Sequence, residues 1–157
     1  MEVESGARFQ ALKTSPKFPR YFRVMTGVAE AYTYFILCKD NLSADALELF
    51  VQAAPDIMDI TDGLNDVLSF YKESILSTER SGYVYHRALA EQRGVCEALR
   101  GLVADVKGYI DNVRCTLQGD PMLLRLVDAY VQGTICFHVT QPRYRLSELN
   151  IPGLSRK

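Results

Sequence analysis

Asn65, Ser69 and Glu73 recur at intervals of four residues in a stretch, Leu64 to Glu73, that holds no Gly or Pro. Four α-helical residues turn about 40° beyond a full circle and rise about 6 Å, so on a helix these side chains form one stripe. The stripe presents an amide oxygen, a hydroxyl and a carboxylate, all hard oxygen donors of the type Mg²⁺ takes. One negative charge with two neutral donors is a weak site for a bare ion. It suits an Mg²⁺ that also binds substrate phosphates, and Lys72 beside Glu73 could reach such a phosphate. The same spacing is also common on solvated helix faces. The fuller pattern Asn65-Asp66-x-x-Ser69-x-x-x-Glu73 is rarer, expected by chance in roughly one chain per thousand of this length. Asp66 stands about 100° from the stripe and reads as an ion-pair partner rather than a ligand.

These residues need a helix to carry them and others to wall them in. Leu64, Val67 and Leu68 recur at helical spacing beside the stripe. Upstream, Ser43 is a good N-cap for a helix whose apolar face is Leu47, Phe50, Val51 and Ala54. Pro55 is expected to kink or interrupt that helix at Ala54. It resumes through Ile57, Ile60 and Leu64 and ends near Leu76, before a polar connection from Ser77 to Gly82. An earlier helical pattern runs from about Arg20 to Cys38 with Gly27 inside it, where a glycine costs about 1 kcal/mol against alanine and suits a close approach. Downstream, Val95, Leu99, Leu102, Val106, Ile110, Val113 and Leu117 keep steps of three and four. Gln118-Gly119-Asp120-Pro121 stops that helix and starts another, carried by Leu123, Leu124, Val127, Val131 and Ile135 and ended by Thr140-Gln141-Pro142. No strand period of useful length appears. The expectation is an all-α fold of roughly four or five helices in one domain, residues 1–157, with 1–15 and 150–157 frayed.

The run from Asn65 to Glu73 resembles the second metal-binding motif of class I terpenoid synthases, and Asn-Asp-x-x-Ser-Phe-Tyr-Lys-Glu looks like the fungal trichodiene synthase family. Two further stretches agree in order, Phe18-Pro19-Arg20-Tyr21-Phe22-Arg23-Val24-Met25-Thr26-Gly27 and Arg143-Tyr144-Arg145-Leu146-Ser147-Glu148-Leu149. The resemblance implies a helical bundle that ionises an allylic diphosphate, most simply farnesyl diphosphate, with Mg²⁺, and cyclises the resulting carbocation to a sesquiterpene. It implies Asn65, Ser69 and Glu73 as Mg²⁺ ligands. It implies diphosphate contacts from Lys72, from Arg23 (with Arg20 as its rival), and from the pair Arg143 and Tyr144. A homodimer is one assembly it leaves open. Tyr32, Phe35, Phe70, Tyr71, Tyr130 and Phe137 are candidates for the cavity wall and equally for core packing. The family's first, Asp-rich metal motif has no counterpart; Asp56, Asp59 and Asp62 immediately precede the second motif on the same segment. Family members are roughly twice this length, so the resemblance implies a C-terminal portion with weak or no activity alone. The resemblance also implies a helix break at Gly27. The competing reading is a non-catalytic helical module, either a degenerate relic of a terpene synthase or a domain that pairs with another chain.

Bulk properties narrow the classes. Hydrophobic residues make up 48% of 157 and charged residues 24%, with net charge -1, a soluble composition without the basic face of a nucleic-acid binder. No apolar run approaches the ~18 residues of a membrane span, and Met1-Glu2-Val3-Glu4 lacks a signal-peptide core, so a cytoplasmic protein is expected. Cys38, Cys96, Cys115 and Cys136 are scattered and read as reduced, buried thiols; His86 and His138 read as structural.

Overall fold

The computed structural model describes residues 10–37, 42–77 and 80–151. It is all-α. Among the described residues six α-helices follow in order: α1 (Phe18–Val24), α2 (Val28–Phe35), α3 (Ala44–Phe70), α4 (Tyr83–Glu91), α5 (Val95–Leu117) and α6 (Pro121–Thr140). A π-helical turn, Tyr71–Leu76, continues α3, and two 3₁₀ turns, Pro142–Tyr144 and Leu146–Glu148, follow α6.

α3 is the central element and packs against α2, α5 and α6. Its buried stripe is Phe50, Ala53, Ile57, Ile60 and Leu64, spaced three and four apart as an amphipathic helix requires. α5 answers with Leu102, Val106, Val113 and Leu117, and α6 with Leu123, Val127 and Val131. Gly63 packs directly against Leu102 and Val106 of α5. A Cβ built there would lie 2.4 Å from Val106 Cγ2. α4 packs on α5 and carries α1 on its other side, with His86 buried edge-on against the Phe18 and Phe22 rings.

The helix ends follow side-chain chemistry. Ser43 Oγ accepts from the Ala46 N–H at 3.1 Å, the expected N-cap. Asp120 Oδ1 accepts from the Met122 and Leu123 N–H groups at 2.9 and 3.1 Å, with Pro121 opening α6. Gly27 is left-handed, φ 70°, and nothing lies within 4 Å of a Cβ placed on it. It therefore breaks the helix rather than admitting a neighbour, and the Arg20–Cys38 pattern becomes α1 and α2.

Three expectations are corrected. Pro55 does not interrupt α3, which runs as one helix for 27 residues. Pro55 and Val51 are both exposed, so water can take the Val51 carbonyl that loses its N–H partner. The helix count exceeds four or five because Gly27 divides one pattern and because α4 was not read as a separate element before α5. Cys96, Cys115 and Cys136 are exposed rather than buried, and unpaired. Cys115 shows why: it lies between Val113 and Leu117, off the face they bury. Residues 1–9, Cys38 and residues 39–41, residues 78–79 of the polar connection, and the tail from Pro152 lie outside the described residues. No helix among the described residues is long and apolar enough to cross a membrane.

Candidate active site

The arginines of α1 lie on the acids of α3. Arg20 Nη1 donates to Asp62 Oδ2 at 2.8 Å, and Arg20 also pairs with Asp59. Arg23 Nε donates to Asp66 Oδ1 and Oδ2 at 3.0 and 2.9 Å, and its Nη1 is 3.2 Å from Asp62 Oδ1. Asp59, Asp62 and Asp66 sit three and four residues apart, so one stripe of α3 serves both arginines. Burial pushes the Asp66 carboxyl up to about 6, with Asp62 and Glu73 adding to the rise and Arg23 opposing it. Burial works against the Arg23 charge, but Asp66, Asp62 and Glu73 outweigh it and hold that pKa above its ordinary value. Arg23 is thus a fixed cation, and Asp66 is its ion-pair partner.

Beside this ladder a cavity of about 650 Å³ opens between α2, α3 and α6. Arg23, Asp62, Asn65, His138 and Tyr144 line its polar end. Val28, Tyr32, Tyr130 and Phe137 supply apolar and aromatic wall. Of the candidate wall aromatics, Tyr32, Tyr130 and Phe137 face this cavity. Phe70 instead stacks on Tyr85 at 6.2 Å, Tyr71 donates its hydroxyl to Glu148 Oε2 at 3.1 Å, and Phe35 is 76% exposed. Arg23 lines the cavity; its rival Arg20 borders a separate one with Asp59, Arg87 and Asp105.

The remaining candidates join this end of the cavity through Tyr144, which is buried. Its ring centroid lies 5.3 Å from Lys72 Nζ and 4.9 Å from the Arg143 guanidinium carbon. The His138 ring is 4.4 Å from it. Two cations and an imidazole therefore gather on one aromatic ring. Lys72 Nζ also pairs with Glu73 Oε1 at 3.0 Å. Ser69, Lys72, Glu73 and Arg143 do not themselves line the cavity.

The donor set fits a divalent cation in one respect above others. Ser69 Oγ is fully buried and has no hydrogen-bond partner. A buried hydroxyl without a partner is costly, so it is either strained or kept for a ligand. Asn65 Oδ1 has only a long contact, 3.4 Å, to His138 Nε2. Glu73 sits in the π-helical turn, which begins at Tyr71. The wider turn rotates less per residue than α-helix, which swings Glu73 back toward the line of Asn65 and Ser69. Among the described residues no three His, Cys, Asp or Glu side chains form a metal-binding group. A cation here would rest on one carboxylate and two neutral oxygens, and needs anionic oxygens from a ligand to complete it.

Two features escaped the sequence reading. His138 was read as structural, yet it lines the cavity and touches both Asn65 and Tyr144. Thr61 donates to the Ile57 carbonyl at 2.8 Å and meets the Tyr130 hydroxyl at 2.9 Å on the cavity floor. The available signal was the α6 stripe itself: Val127 and Val131 continue into Thr134 and His138 on one face, flanked by Tyr130 and Phe137, so an apolar stripe turns polar and aromatic along its length.

The sequence model of the Trichodiene synthase (TRI5) family matches residues 3–151. The chain is 35% identical over 151 residues to (E)-beta farnesene synthase of Metarhizium brunneum, covering 96% of this chain and 46% of that protein. It is 34% identical over 144 residues to terpene synthase BipA of Cochliobolus sativus, covering 87% and 42%. It is 33% identical over 132 residues to monoterpene synthase 25 of Postia placenta, covering 84% and 39%. The chain thus spans less than half the length of these curated relatives. A match along nearly all of its residues, carrying the motif on α3 and the Arg-Tyr pair after α6, makes the chain a member of the trichodiene synthase family of terpene synthases.

Proposed function

We propose that this chain forms the diphosphate-binding wall of a sesquiterpene cyclase site that takes farnesyl diphosphate with Mg²⁺. The reading rests on one observation above all: Arg23, Asn65 and Tyr144 open onto one cavity, with the unpartnered Ser69 hydroxyl on the same edge of α3. Asn65, Ser69 and Glu73 would hold the metal, which supplies positive charge to the diphosphate as the carbon–oxygen bond breaks. Arg23, fixed by Asp62 and Asp66, adds a permanent cation at the cavity mouth. Lys72 and Arg143, gathered on Tyr144, bind the outer oxygens of the leaving group. The C–O bonding pair leaves with the diphosphate, and the allylic cation remains against the faces of Tyr32, Tyr130 and Phe137. The reading places the protein in the cytoplasm, where prenyl diphosphates are soluble anions.

The cavity is open to water on one side: Tyr32 is 50% exposed, Phe137 48% and Val28 46%. A cation formed there meets water before it can cyclise. We therefore expect weak turnover from this 157-residue chain alone. The test is incubation with farnesyl diphosphate and Mg²⁺, with products identified by gas chromatography. The reading predicts slow, chelator-sensitive diphosphate release, far below the ~10 s⁻¹ of a median enzyme, with water-captured alcohols as products. Cyclised terpene at an ordinary rate would contradict the open wall, and release that survives chelation would contradict the metal role.

A second reading is a non-catalytic helical module that docks onto another chain. It is favoured by the apolar face of α1 and α2, where Tyr21, Met25 and Phe35 are 63%, 65% and 76% exposed. Stable self-association without any diphosphate binding would support it.

A further inference from the structure

His138 lies on α6, buried, with each ring nitrogen facing a defined neighbour. Nδ1 is 2.8 Å from the Thr134 carbonyl oxygen. A carbonyl only accepts, so Nδ1 must carry the proton, and in a neutral ring Nε2 then carries the lone pair. Nε2 faces the Asn65 side chain, whose Oδ1 lies 3.4 Å away. Two acceptors do not bond, and 3.4 Å is long for a made hydrogen bond. Turning the Asn65 amide over exchanges oxygen for nitrogen at almost no steric cost and gives Nε2 a donor. The other limb of the amide, now Oδ1, then points away from the imidazole.

We propose that His138 is a positioning residue: its Nε2 lone pair takes the Asn65 amide N–H and so turns Oδ1 toward the cation-binding edge of α3. Thr134 sets the tautomer, His138 reads it, and Asn65 is left with its oxygen free. Tyr144 and Phe137 pack against the same ring, at 4.4 and 5.5 Å, and hold its plane. The C-terminal Arg-Tyr segment is thereby linked to a metal ligand on α3. This assignment rests on the Mg²⁺ reading of Asn65 given above.

Two measurements test it, one of which needs no metal. The ¹⁵N shifts of the His138 ring in labelled protein should show Nδ1 protonated and Nε2 bare; a ring protonated at Nε2 overturns the assignment. The second measurement is calorimetry of inorganic pyrophosphate with Mg²⁺. His138→Phe keeps the aromatic packing but removes the acceptor, and should weaken binding 10–100-fold, the usual cost of losing a group that orients a metal ligand. His138→Gln, whose amide oxygen can accept, should stay within a few-fold of wild type. In an Asn65→Ala background, His138→Phe should change nothing further. Unchanged affinity in His138→Phe, or an equal loss with Asn65 absent, overturns the proposal. If wild type shows the expected tautomer but no Mg²⁺-dependent binding, the metal reading has failed and this assignment falls with it, distinguishably from a wrong tautomer.

Discussion

Ser69 separates function from stability at a single atom. Its hydroxyl is buried without a partner, so removing it costs the fold nothing and relieves an unmet polar group. Ser69→Ala should therefore leave the free energy of unfolding unchanged or raise it by about 0–1 kcal/mol in urea titrations, alanine also being the better helix former. The same change should weaken Mg²⁺-dependent pyrophosphate binding about tenfold or more, on the scale of a lost charge-assisted contact. His86 makes a pH prediction. Burial lowers its imidazole pKa below 6.5, against a smaller opposing pull from the Ser81 backbone. The unfolded ring takes up a proton before the folded one, so stability is full above pH 6.5 and falls as pH drops toward the folded pKa. Proton NMR should give a His86 midpoint below 6.5, and the urea midpoint of wild type should fall relative to His86→Phe between pH 7 and 5. Asn65, Ser69, Glu73 and Lys72 could be nominated from the sequence because their spacing repeats along α3 and the turn that continues it. His138 was not, because its partner Asn65 is 73 residues away and only the packing of α6 on α3 brings them together.

At the scale of elements, α3 is the helix that α2, α5 and α6 pack on, and at Gly63 the side chains of α5 leave no room for a methyl. A methyl there would sit 2.4 Å from Val106 Cγ2, an overlap that forces the helices apart. Gly63→Ala should destabilise by up to about 2 kcal/mol by denaturant unfolding, since overpacking of about 1–3 kcal/mol is offset in part by a helical gain of about 1 kcal/mol. Pro55→Ala should do the opposite. The helix already continues through this position, so restoring a residue-55 N–H to the Val51 carbonyl should stabilise by about 1–2 kcal/mol in the same assay. α5 and α6 were readable because an unbroken three-and-four period admits one interpretation. Pro55 was misread because a proline's effect depends on whether solvent reaches the freed carbonyl, and exposure at Val51 is a tertiary fact. Gly27 was left between two readings because a break and a close approach look alike until the neighbouring space is known. The π-helical turn at Tyr71–Leu76 left no trace in the residue pattern, since one extra residue per turn disturbs apolar spacing no more than ordinary variation does.

For the whole molecule, the fold buries one contiguous core between α3, α5 and α6 while α1 and α2 show apolar side chains to solvent. The all-α class followed from periodicity alone. The open wall did not, because exposure of a face depends on what packs on it and not on its own sequence. A protein exposing Tyr21, Met25 and Phe35 together should associate as concentration rises in sedimentation experiments, and Phe35→Lys with Met25→Lys should reduce that association without lowering the unfolding midpoint. The central claim remains the convergence of one helix's oxygens with cations from α1 and the C-terminal turns on a single anionic ligand. Calorimetric titration of inorganic pyrophosphate into the protein, with and without Mg²⁺, addresses it most directly. The account predicts binding that requires Mg²⁺ and is measurably weakened, each on its own, in Asn65→Ala, Arg23→Ala and Arg143→Ala. Binding of equal strength without Mg²⁺, or wild-type affinity in all three variants, would contradict it.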